Sequence, residues 1–173
     1  MICKVLTLFK TLVEVILLRK GPEDVPHSSV LFVIVTTIWL LVGVVDVMTI
    51  ETVKGPGLFF VDLILAFVGL ACYAIVVNAF GKRVRLMRCI TTILGCSIVF
   101  SVVLLGGRAV LPLLLTENEL VWAVQLIWFW SIPVEGHIIA RTIERQWVIG
   151  FLIALAVLFA QLKLFTLLKP WLE

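Results

Sequence analysis

The sequence predicts an all-α fold: a polytopic membrane helical bundle of five transmembrane helices, preceded by an N-terminal amphipathic interfacial helix. Three observations predict it. Of the 173 residues, 62% are hydrophobic and 14% charged, whereas a soluble domain is about half apolar and a quarter charged. The apolar residues gather into runs of about 20, the length that crosses a hydrocarbon core of ~30 Å. The links between the runs are short and hold much of the Gly, Pro and charge. Residues 1–27 are therefore the amphipathic helix and its linker. Residues 28–173 form a five-span transmembrane domain, with spans at about 29–50, 58–80, 89–114, 119–141 and 146–168.

The first element covers 3–20. Lys4, Thr7, Thr11 and Glu14 follow the spacing of one helical stripe, with Lys10 beside it and Leu, Val, Ile and Phe on the other faces. Lys10 and Glu14 make the apolar run too short to span, and no small-residue cleavage site marks a signal peptide. A helix lying in the membrane interface is expected. Gly21-Pro22 is the expected stop, with glycine suited to a C-terminal cap and proline unable to continue the helix. A polar turn holding His27 follows, and Ser28 or Ser29 can cap the first span.

The first span carries Trp39, Gly43 and Asp46, and the link 51–57 leads to the second, which carries Asp62 and Asn78. Lys82, Arg83, Arg85 and Arg88 then fall within seven residues. Such a run can bind phosphates, but beside a span it reads first as a topology signal. The third span has small residues four apart: Thr91 and Gly95, Thr92 and Cys96, Ser97 and Ser101. That spacing lets helix backbones approach closely in lipid and places this helix at the bundle centre. Gly106, Gly107 and Pro112 loosen its far end. The fourth span contains Ile127–Arg141, and the fifth runs to the Lys169–Glu173 tail. Trp122, Trp147 and Trp171 suit headgroup depth; Trp39, Trp128 and Trp130 are expected to pack between helices.

Short Lys- and Arg-rich segments stay cytoplasmic. A cytoplasmic N-terminus puts Lys4, Lys10, Arg19, Lys20, Lys82, Arg83, Arg85, Arg88, Arg141 and Arg145 on that side. Only Lys54, Arg108, Lys163 and Lys169 fall on the other. Five spans then leave the C-terminus non-cytoplasmic, in an inner (plasma) membrane.

Ionisable residues inside spans are the candidate functional residues, because each costs at least ~2.5 kcal/mol near the bilayer centre. Asp46, Asp62, Arg108 and Lys163 lie about 6–9 Å from the non-cytoplasmic ends of four helices, counting four to six residues at 1.5 Å rise. They read as an ion-pair network, as separately snorkelling side chains, or as a transport or ligand site. The second group is in the fourth span. Pro133 cannot donate to the Phe129 carbonyl, so a kink or opening is expected there. Glu135 and His137, two apart, point in different directions, while His137 aligns with Arg141 and Arg141 with Glu144. These three read as a polar stripe entering the cytoplasmic side, with a proton path or ligand site as the alternative.

Other classes find no support in the residues. Cys3, Cys72, Cys89 and Cys96 include no C-x-x-C pair, and two histidines do not complete a zinc site. No phosphate-cradling loop, H-E-x-x-H or nucleophile elbow occurs. No catalytic residue, cofactor or metal ion is expected, and a net charge of +3 is no nucleic-acid signature.

Leu18-Arg-Lys-Gly-Pro-Glu-Asp-Val-Pro26 and Glu135-Gly-His-Ile-Ile-Ala-Arg141 resemble segments of small bacterial inner-membrane proteins grouped with the Yip1-type family. The five spans and the cytoplasmic amphipathic N-terminus resemble that family as well. Its Asp-Leu-Tyr-Gly-Pro motif is absent, which argues against a trafficking role. The resemblance implies a helical membrane adaptor or accessory subunit. The expected partners are the lipid bilayer and another membrane protein or a second copy. The alternative is a small transporter or proton-conducting protein.

Overall fold

The computed structural model describes residues 2–49, 56–110 and 116–168. It contains α1 (Ile2–Ile16), α2 (Ser29–Thr49), α3 (Pro56–Ala79), α4 (Leu86–Val110), α5 (Glu117–Ile143) and α6 (Trp147–Leu168). Short 3-10 turns occupy Pro22–Asp24 and Arg83–Arg85, and no strand occurs among the described residues. The five helices α2 to α6 are each long and apolar enough to cross a membrane, and the all-α bundle is as expected. Lys54, Pro112, Lys169 and Trp171, and the side chains of Cys3, Lys4 and Arg108, lie outside what the structure describes.

Helices suit this sequence because lipid offers no partner for a backbone N–H or C=O, and a helix satisfies both internally. The hydroxyls do the same. Thr36 donates to the Phe32 carbonyl at 2.8 Å, Thr91 to Met87 at 2.7 Å and Ser97 to Ile93 at 3.0 Å, each one turn back. Ser28 caps α2, its Oγ accepting from Leu31 N at 3.3 Å. At α5, the Glu119 carboxylate reaches back to accept from Thr116 N at 2.8 Å.

Three helices end in the same way. At each, a residue one or two positions past the helix adopts a left-handed conformation, and paired backbone bonds close the last turn. Gly81 (φ 71°) serves α3, Leu18 (φ 59°) serves α1 and Glu144 (φ 55°) serves α5. For α1 the bonds are Arg19 N to Glu14 O at 2.9 Å and Leu18 N to Val15 O at 2.9 Å. The expected stop at Gly21 is thus corrected. α1 ends before Leu18, and Gly21 is extended backbone (φ −125°) that opens the following 3-10 turn. Leu18 tolerates the strained conformation because its side chain packs against the core.

α4 is the central helix, packing against α1, α2, α3 and α5. Its residues 91–96 are all buried. Gly95 seats a side chain: a Cβ there would lie 2.9 Å from a Leu12 methyl. Leu12 and Val15 belong to the same core as Val77, Cys89, Ile138 and Ile139, so one face of α1 packs on the bundle while Leu6 and Phe9 stay exposed. α5 and α6 cross most closely. A Cβ on Gly150 would lie 2.1 Å from the Gly136 carbonyl oxygen and 2.6 Å from the Ala140 methyl. α6 also meets α3, where Gln161 donates to the Leu65 carbonyl at 2.9 Å beside Gly69.

Candidate functional site

Much of the polar chemistry inside the bundle converges on the second half of α5. The helix runs unbroken through Pro133, and after it Val134 and residues 136–140 are buried in succession. Glu135 and His137 diverge, as their spacing requires. Glu135 turns toward α3 and accepts a hydrogen bond from the Tyr73 hydroxyl at 2.5 Å. Tyr73 is 3% exposed and is the only tyrosine in the chain. A lone phenol in an apolar span was the available signal for this partner, because a buried hydroxyl requires an acceptor.

His137 turns the other way, its Nε2 lying 3.0 Å from the Lys20 carbonyl oxygen. One turn on, Arg141 Nη1 lies 3.4 Å from the Glu23 carboxylate. Two turns back, Trp130 Nε1 donates to the Ile16 carbonyl at 3.1 Å. Positions 130, 137 and 141 form one stripe at helical spacing, and they meet 16, 20 and 23 in order. The stripe thus seats the end of α1 and the turn that follows. The carbonyls of Ile16 and Lys20 find donors or ring nitrogens there that lipid could not supply. Residues 18–26 and 135–141 are therefore in contact: His137 meets Lys20 and Arg141 meets Glu23.

The expected alignment of Arg141 with Glu144 is corrected. Glu144 stands in the left-handed position past α5, which swings its carboxylate across to the turn between α3 and α4. It accepts a hydrogen bond from Lys82 and pairs with Arg85 at 2.5 Å. Lys82, first, and Arg85 hold the Glu144 carboxyl below the usual carboxylate range. Lys20 pairs with Glu14 at 2.6 Å, and its hydrogen bond lowers that carboxyl as well. Arg145 lies over the Phe80 ring at 5.8 Å.

Trp128 corrects another expectation: it is 45% exposed and edge-on to Phe129 of its own helix at 5.4 Å, whereas Trp130, equally exposed, reaches α1 through its bond to Ile16. Trp39 does pack between helices, edge-on to Phe67 of α3 at 6.2 Å. The other candidate group lies at the opposite end of the bundle. Helix alternation puts Asp46, Asp62, Arg108 and Lys163 at that end. Asp62 and Lys163 are exposed and Asp46 half-buried.

Open grooves flank α5. One of ≈ 800 Å³ between α5 and α6 is lined by Trp128, Phe129, Pro133, Phe151 and other apolar side chains. Another of ≈ 430 Å³, between α4 and α5, is lined by residues such as Val99, Phe100 and Trp130. A small cleft of ≈ 80 Å³ at the basic end has a different lining: Pro22, Glu23, Arg85, Arg88, Arg141 and Thr142.

Five apolar helices of spanning length, with α3 joined to α5 and α6 by side-chain hydrogen bonds, define a multi-pass helical membrane protein. No family model matches the sequence, and neither a curated protein nor a solved structure matches it significantly.

Proposed function

We propose that this is a Yip1-like inner-membrane protein, N-terminus cytoplasmic and C-terminus outside, that acts as a scaffold or accessory subunit. It associates through its helices with another membrane protein or a second copy of itself. One observation carries the reading. The polar side chains of α5 that would have to do chemistry are engaged in holding the chain's own segments: Glu135 on Tyr73, His137 on the Lys20 carbonyl and Arg141 on Glu23. The surface left for another membrane protein is apolar helix, most of all on α2. That helix packs chiefly on α4 and leaves Val30, Val33, Ile34, Ile38, Leu41 and Val45 exposed.

Purification in mild detergent is the test, followed by disulfide crosslinking through a cysteine introduced at Ile38. A homo-oligomer or stable heterocomplex crosslinked through α2 is expected. A strictly monomeric, partnerless protein in a bilayer would overturn the proposal. The orientation is checked by labelling cysteines added at each terminus, and both termini reacting from one side would refute it.

The transporter reading makes a different demand, a polar route joining Glu135 to His137 and onward. The grooves beside α5 have apolar linings, which favours the scaffold. Proton or solute flux in liposomes that falls in Glu135→Gln and His137→Ala would reverse that preference.

A further inference from the structure

Three arginines, Arg85, Arg88 and Arg141, line the small cleft at the basic end, with Glu23 the one acidic residue among those that line it. They come from the turn after α3, the first turn of α4 and the last turn of α5, so the cleft exists only in the folded bundle. Charges of one sign converging on a concave site repel one another unless an anion joins them. Two of the three have partners: Arg85 holds Glu144 at 2.5 Å, and Arg141 holds Glu23 at 3.4 Å, looser than a charge-assisted bond of ~2.8 Å. The third does not balance. Arg88 Nε is buried with no hydrogen-bond partner among the described residues. A buried donor on a charged group, left without an acceptor, is costly.

We infer that this cleft binds a phosphate group, held by the guanidinium groups of Arg85, Arg88 and Arg141. The space suits it. At ~30 Å³ per water, ≈ 80 Å³ holds an anion the size of two or three waters. Arginine's planar fork matches phosphate oxygens in pairs. Glu23, on its loose 3.4 Å contact, is the group an incoming phosphate displaces. The phosphate source is the headgroup of an anionic phospholipid or a free phosphate ion, and the two differ in what anchors them. A lipid also keeps its acyl chains in the apolar phase around the spans, so it binds more tightly than the ion alone.

The test uses the full-length protein in a neutral detergent. Binding of a short-chain phosphatidate, a short-chain phosphatidylcholine and inorganic phosphate is followed by native mass spectrometry and by thermal shift. Phosphatidate bound far more tightly than inorganic phosphate identifies the lipid, and equal affinity identifies the free ion; either supports the site. Arg88→Gln is expected to weaken binding about tenfold or more, the worth of one charge-assisted bond. Glu23→Gln is expected to tighten it. Arg83→Gln, exposed and outside the cleft, is expected to leave it unchanged. Arg83→Gln weakening binding as much as Arg88→Gln means diffuse charge and overturns the site. So does wild-type affinity in Arg88→Gln, or no binding of either phosphate. If Arg88→Gln fails to fold, an affinity unchanged in Glu23→Gln overturns it alone.

Discussion

The two halves of α5 differ sharply. After Pro133, Val134, Ile138, Ile139 and Thr142 are almost wholly enclosed, and α6 approaches so closely that Gly136 and Gly150 touch backbone to backbone. Before it, Trp122, Leu126, Phe129 and Trp130 are largely exposed, and open apolar grooves separate the helix from its neighbours. Lipid explains why both arrangements coexist. Among apolar side chains the hydrophobic effect does not distinguish lipid from protein, so helices bind each other through close packing and polar contacts. The half with glycines and polar anchors packs tightly, and the half with large apolar side chains does not.

The comparison breaks most easily at the glycines. Gly150→Ala puts a methyl against the Gly136 carbonyl and the Ala140 side chain, and overpacking of this kind costs about 1–3 kcal/mol or more. Gly106→Ala, on α4 facing the open half of α5, meets nothing within 4 Å. It should be neutral or stabilising by up to about 1 kcal/mol from helix propensity. Thermal unfolding in a fixed detergent measures both, and equal losses would erase the distinction between the halves.

Next in size is the Tyr73–Glu135 bond. Tyr73→Phe leaves a half-buried carboxylate without its donor and should cost about 1–3 kcal/mol in the same assay. A wild-type melting curve would show that Glu135 has another acceptable partner. His137→Ala removes a contact to the Lys20 carbonyl and should cost about 1 kcal/mol. Its specific sign is local: hydrogen exchange should speed up at residues 16–24 and stay unchanged in α6. Uniform acceleration through the whole bundle would remove the case for α5 as the seat of the N-terminal segment.

The smallest effect is electrostatic. Glu144 is depressed by Lys82 and then Arg85, so its contribution to stability is present above the unfolded carboxyl pKa of about 4.3. It is lost as pH falls through the lower folded value. Wild type should therefore lose its advantage over Glu144→Gln on acidification below that range. A difference that is constant with pH would mean the ion pairs add nothing, as exposed pairs often do.

The sequence read alone determined the helices, their number and their approximate ends, because composition and run length depend only on the solvent the chain must satisfy. It also marked α4 as the central helix from its small residues, and separated Glu135 from His137 by their spacing. Only the tertiary structure decided which group each polar residue meets. Tyr73, Trp130 and the carbonyls of Ile16 and Lys20 are distant in sequence from one another's partners, and no periodicity joins them. Gly136 and Gly150 sit on different helices, so their meeting is invisible until the two axes cross. The end of α1 shows the same limit: local rules favour Gly21 as its stop, yet the chain turns at Leu18. Packing that side chain against the core outweighs about 1–2 kcal/mol of backbone strain, and the core is a property of the assembled bundle.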